Sequence, residues 1–166
     1  MTFGLAALTF VHVLISFMGL FSGFIVAFGL LQARRLDRWT ALFLASTVAT
    51  SLTGFLFPFR QFLPSHAVGI LSLIVLAVAI YARYARRLAG AWRWTYAVTA
   101  VIALFLNTFV LVAQLFQKVP ALRSIAPTQA EPPFVVTQLV VLVLFVAVAA
   151  AAAIRFRDAG GPLRTA

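Results

Sequence analysis

Long apolar runs alternate with short polar ones along this chain. Five stretches, at about residues 3–31, 39–58, 65–86, 92–117 and 134–156, are dominated by Leu, Val, Ile, Ala and Phe. At ~1.5 Å per residue, each is long enough as a helix to cross the ~30 Å of hydrocarbon in a bilayer. None alternates with the period of two that marks a barrel strand. In lipid a segment must satisfy its own backbone amides, so the pattern predicts helices. The expected fold class is all-α: an integral membrane bundle of five transmembrane helices in a single domain, residues 1–156.

The connections fit that reading. Residues 32–38 and 86–93 are short basic turns, the second containing Gly90, and residues 59–64 form a tight loop. Ser65 is placed to cap the free amides of the third helix. Residues 118–133 form the one long connection. Pro120, Pro127, Pro132 and Pro133 argue against a continuous helix there. Residues 157–166 form a polar tail, and no inverted repeat of the transporter type is visible.

Polar positions define helix faces. His12, Ser16, Gly19 and Gly23 recur at helical spacing and share one face of the first helix. Gly19 and Gly23 form a GxxxG pair, which admits a neighbouring backbone. The second helix carries Ser46, Thr47, Thr50, Ser51, Thr53 and Gly54, small residues suited to close packing. Docking Gly19 and Gly23 on Ser46, Thr50 and Gly54 is the simplest arrangement. The fourth helix has a stripe of Tyr96, Thr99, Ala103, Asn107, Gln114 and Gln117, whose amides are expected to face the bundle interior. The plainer account of both stripes is helix packing with no activity attached.

Composition removes alternatives. Of 166 residues, 64% are hydrophobic and only 10% are charged, against roughly 25% in soluble domains. Mean hydropathy is +1.08. A chain this short cannot hide so much apolar surface from water, and it is too apolar to be disordered.

The net charge of +10 acquires meaning from its distribution. With alternate loops on opposite sides, Arg34, Arg35, Arg38, Arg83, Arg86, Arg87, Arg93, Arg155, Arg157 and Arg164 fall on one side. Arg60, Lys118 and Arg123 fall on the other. The positive-inside rule then puts the N-terminus outside and the C-terminus in the cytoplasm. Trp39, Trp92, Trp94, Tyr81 and Tyr84 fall at the cytoplasmic interface. The partner expected for the basic loops is the anionic headgroup layer of that leaflet, and no nucleic acid is needed.

Few reactive groups remain. There is no cysteine; the histidines are His12 and His66, and the acids are Asp37, Glu131 and Asp158. That inventory gives no catalytic carboxylate pair, Ser-His-acid order or metal motif, so no enzyme is expected. A b-type haem through His12 and His66 would need both imidazoles at similar depth, and their positions in the two helices match poorly. No metal site is expected. A transporter or channel would have only His12 as an ionisable group within a span. On the outer side, His12, Ser16, His66, Asn107, Gln114 and Gln138 come together, with Thr137, Gln117, Arg60 and Gln61 nearby. They could line a pocket covered by the long loop, or be polar only because they approach water.

The segments TSLTGFLFPF (50–59), LNTFVLVAQLFQKVPAL (106–122) and APTQAEPPF (126–134) resemble parts of a group of small multi-pass membrane proteins of proteobacteria. The resemblance extends over most of the chain. It implies a bacterial inner-membrane setting, carries no assigned activity, and draws attention to Gln114, Pro120, Gln129 and Glu131. The leading expectation is an accessory or structural subunit that packs against other membrane subunits or copies of itself. The alternative is a binding protein for a lipid, quinone or other hydrophobic small molecule in an outer-leaflet pocket.

Overall fold

Helices form where apolar runs leave the backbone no other partner. The computed structural model describes residues 3–57, 64–158 and 164–165. It contains α1 (Phe3–Leu31), α2 (Asp37–Gly54), α3 (Pro64–Ile80), α4 (Trp92–Lys118), a short α5 (Pro120–Ile125) and α6 (Pro132–Asp158). A π turn, Tyr81–Ala85, extends α3. Outside the helices, Arg34–Arg35 pair with Arg164–Thr165 through two residues of backbone. The expected loop at 59–64 with Arg60 and Gln61, the end of the second span at Pro58 and the Ser65 side-chain cap lie outside the described residues.

Four helices are long and apolar enough to cross a membrane: Gly4–Leu31, His66–Ala85, Trp92–Lys118 and Pro132–Phe156. The second helix, expected as a fifth span, differs in kind. It is 18 residues long, starts on Asp37 and Arg38, and is rich in Ser and Thr. Its polarity is tolerable because Thr40, Ser46 and Thr47 are buried against neighbouring helices. Two further expectations are refined. The third span is not α-helical throughout, because its last turn widens into the π turn. The long connection contains α5, which begins at Pro120, where a missing amide proton costs nothing.

Helices α1, α2, α3 and α4 form a ring in which each packs against the next and α4 returns to α1, while α6 lies outside on α4 and α1. One half of this ring is solid. Val26, Leu30, Phe43, Leu76, Ala79, Ala82, Tyr96, Ala97, Ala100, Val101 and Leu104 form its core. Alanines on α3 and α4 let large rings fill the space between the helices. Gly23 is where α1 comes closest: a Cβ there would lie 2.6 Å from Leu104 Cδ1 and 2.8 Å from Phe43 Cε2.

The solid half ends in the basic loops. Arg83, counted with the basic residues of this side, is only 5% exposed. A buried guanidinium must be paired. Its Nη2 donates to Asp37 on α2, and its Cζ lies 5.3 Å from the centroid of the Tyr96 ring on α4. The Tyr96 hydroxyl is 3.2 Å from Thr40 Oγ1, and its ring packs against Phe156 on α6. Arg155 Nη1 donates to the Leu31 carbonyl at the end of α1. Every helix of the bundle except α5 is thus tied in at the basic end.

Candidate functional site

The other half of the ring opens. Between α1, α2, α3 and α4 lies a cleft of about 840 Å³, within the range of about 300–1,000 Å³ typical of small-molecule sites. Its walls are mainly apolar, with Leu5, Val13, Phe17, Leu20, Phe55, Leu106 and Leu111 among them. The polar groups are His12 and Ser16 on α1, Thr47, Thr50 and Ser51 on α2, His66 and Ser72 on α3, and Asn107, Gln114 and Lys118 on α4.

Five of the six residues expected to form a pocket therefore share it: His12, Ser16, His66, Asn107 and Gln114. Gln138 does not. It sits on α6, outside the ring, and its Nε2 donates to the Phe109 carbonyl at 3.1 Å. Its amide pairs α6 with α4 instead of facing the cleft.

Of the residues expected to pack, Gly19 and Ser46 approach each other beside the cleft, Gly23 stands in the solid half, and Thr50 and Gly54 line the cleft. A Cβ on Gly19 would stand 3.1 Å from Thr47 Oγ1 and 3.3 Å from both Asn107 Nδ2 and Ser46 Oγ. Absence of that Cβ lets α1, α2 and α4 converge and leaves three polar atoms beside bare backbone. Gly54 is looser, with His12 Cε1 3.8 Å from the place a Cβ would take.

His12 is tied to α2. Its Nδ1 is 2.8 Å from Thr53 Oγ1, and that hydroxyl donates to the Ala49 carbonyl at 2.7 Å. Where that hydroxyl gives its proton to the carbonyl, the imidazole Nδ1 supplies the proton of the His12–Thr53 hydrogen bond. The ring also meets Phe57 edge to face at 5.2 Å. His66 is buried, with its ring centroid 5.8 Å from that of Phe55. Among the described residues, no three His, Cys, Asp or Glu side chains gather as a metal cluster.

Hydroxyls in apolar helices usually donate to a carbonyl one turn back. Most here do so: Ser16 to His12, Ser46 to Leu42, Ser51 to Thr47, Thr53 to Ala49 and Thr108 to Leu104, at 2.6–3.0 Å. Thr47 and Thr50 do not. Their hydroxyls, with Asn107 Nδ2, are buried without a hydrogen-bond partner among the described residues. Thr47 is 1% exposed and Asn107 9%. All three residues line the cleft. Thr47 had a sequence signal only as one small residue in a packing stripe; helical spacing cannot tell which hydroxyls fold back.

The connection after α4 is fastened beside Gln114. Gln129 Nε2 donates to the Ala113 carbonyl at 2.7 Å, and Gln117 Nε2 donates to Gln129 Oε1 at 3.2 Å. Glu131 ends this segment and caps α6. Its carboxylate accepts from the Thr128 hydroxyl at 2.8 Å and from the amides of Thr128 and Ala130 at 3.1 Å. Slight burial of Glu131 raises its pKa, but these hydrogen bonds outweigh that and hold the carboxyl below its ordinary range.

Compared with protein-family models, curated proteins and solved structures, the chain matches none.

Proposed function

We propose that this is a polytopic membrane protein that binds a hydrophobic small molecule in the cleft between α1, α2, α3 and α4. The observation that carries this reading is the cleft itself. It has apolar walls, a few polar groups and enough volume for a ligand, in a chain that otherwise packs closely. In this reading α2 crosses the bilayer with the other four long helices. The N-terminus is outside, the basic end meets anionic headgroups of the cytoplasmic leaflet, and the cleft belongs to the outer leaflet. The setting is a bacterial inner membrane.

Purification in a mild detergent, followed by extraction and mass spectrometry, tests the reading. A lipophile should be retained in fixed proportion to the protein. Gly54→Leu should reduce its retention, because among the described residues only His12 stands within 4 Å of a Cβ there and the larger side chain has the cleft to fill. Equal retention by both proteins would count against the cleft. Orientation is tested separately, since the chain has no cysteine. Replacing Arg87 by Cys should give a thiol shielded from an impermeant reagent added outside, and replacing Ser124 by Cys should give a reactive one.

A second reading, an accessory subunit that packs against partner helices or copies of itself, is favoured by one observation. Phe10, Phe17, Phe21, Phe24 and Phe28 are all exposed along α1. Their spacing follows the three-and-four pattern of a helix–helix seam. Co-purification with a larger complex in fixed stoichiometry would support this reading, and a chain that always runs alone would reject it.

A further inference from the structure

We infer that the cleft selects a neutral lipophile headed by a carbonyl group, of which a quinone is the simplest kind, and binds it head inward. This rests on the ligand-binding reading above and adds the chemistry of the head and its direction. Among the described residues, the buried polar atoms without hydrogen-bond partners are Arg35 Nε, Arg83 Nε and Gln138 Oε1, away from the cleft, and three on residues that line it, Thr47 Oγ1, Thr50 Oγ1 and Asn107 Nδ2. Two of these three are at the floor, where Gly19 brings Thr47 Oγ1 and Asn107 Nδ2 close to one stretch of bare α1 backbone. An uncompensated polar atom in a low-dielectric interior is costly. The neighbouring Ser46, Ser51 and Thr53 hydroxyls escape that cost by bonding to their own helix. Thr47 and Thr50 forgo this bond and leave their hydroxyls free beside the cleft.

The chemistry of these atoms selects the head. Asn107 Nδ2 can only donate, and both hydroxyls are able to donate. A group that accepts hydrogen bonds and needs to give none suits these donors, and a carbonyl oxygen, with two lone pairs, can accept from both Thr47 and Asn107 at the floor. An anionic head is excluded by cost: the floor holds no countercharge, and Lys118, the charged residue of the lining, is exposed at the end of α4. A phospholipid is also the wrong way round, because its head belongs at the water interface while this floor lies beside the solid core. Leu5, Phe17, Leu111 and Leu115 leave an apolar path for the tail.

Two probes with the same tail separate head recognition from plain lipophile binding. A decyl-substituted benzoquinone carries carbonyls and decylbenzene carries none. With the purified full chain, the quinone should bind about tenfold more tightly or better, and its carbonyl stretch should move to lower frequency on binding. Thr47→Val, which keeps shape and removes the hydroxyl, should weaken the quinone about tenfold and leave decylbenzene unchanged. Asn107→Leu should act the same way. Thr47→Val decides alone if Asn107→Leu does not fold. Equal affinity for the two probes, or an unchanged quinone affinity in Thr47→Val, overturns head recognition and leaves the ligand-binding reading standing. Failure of both probes to bind overturns both.

Discussion

The two ends of the four-helix ring use buried polar groups in opposite ways. At the basic end, Arg83 is held by Asp37 and stacked near Tyr96, whose hydroxyl meets Thr40. Those groups bind α2, the turn after α3 and α4 to one another. At the histidine end, the Thr47 and Thr50 hydroxyls and Asn107 Nδ2 are buried with no hydrogen-bond partner among the described residues, whereas at the basic end the unpartnered Nε of Arg83 belongs to a guanidinium already held through Nη2. The helices touch through alanines and large rings at one end and separate at the other. Polar groups that satisfy each other act as fasteners. Polar groups left unsatisfied beside a space are available to whatever enters it.

The largest effect is expected where the fastening is electrostatic. Asp37→Asn leaves the buried Arg83 without its counter-charge. It should destabilise by about 3 kcal/mol, the low end of the roughly 3–5 kcal/mol for a broken buried pair, because the Asp37 side chain is 49% exposed. Thermal unfolding in detergent would measure it. Lipophile retention per folded molecule should not change, and a parallel loss of retention would show that the two ends are not independent.

Next comes the close approach at Gly23. Gly23→Ala puts a methyl group within 2.6–2.9 Å of Leu104 and Phe43 in the solid half, and it should cost about 2 kcal/mol. Gly54→Ala, which meets only His12 at 3.8 Å, should be nearly neutral. Similar melting temperatures for the two variants would contradict the contrast between a filled half and an open one.

Thr47→Val should move stability the other way. Removing an unpartnered buried hydroxyl without changing shape should stabilise the ligand-free protein by about 1 kcal/mol. A variant that melts higher yet binds more weakly would be the signature of a group kept for a ligand. A lower melting temperature would mean the hydroxyl is satisfied in the folded protein.

The smallest effect concerns the segment beside the cleft. The Glu131 carboxyl titrates below its ordinary range because of the hydrogen bonds it accepts. The turn it closes is therefore fully supported above the ordinary carboxylate range. That support is lost as pH falls through the lowered value. Hydrogen exchange of the Thr128 and Ala130 amides should accelerate over that acidic window beyond the intrinsic trend. Glu131→Gln should abolish the pH dependence and leave the melting temperature nearly unchanged.

Much of the architecture was legible because lipid restricts the choices. Apolar runs longer than eighteen residues can only be helices there, and short basic turns between them keep neighbours adjacent. The gathering of His12, Ser16, His66, Asn107 and Gln114 followed from spacing along each helix and alternate direction of successive helices. Three features did not follow. The Arg83–Asp37 pair joins residues 46 apart in sequence, and a charge near a helix end gives no sign of whether it points inward. Gln138 was misplaced because end and depth say nothing about which face of α6 meets α4. The second helix was read by its length as an equal of the others, although its Ser and Thr content already separated it from them.

The π turn at Tyr81–Ala85 ties chain length to the fastening at the basic end. Such a turn accommodates one residue more than an α-helical path would. Arg83 lies within it and faces inward. Loss of one residue from this stretch would restore α-helical winding and remove the widened turn that carries Arg83. The helix before it and the loop behind it would keep their directions, but the guanidinium would lose the position from which it meets Asp37. Homologous chains that keep the pair should therefore tolerate exchanges of side chain here far better than insertions or deletions. A gap between α3 and α4 would mark proteins fastened by some other means.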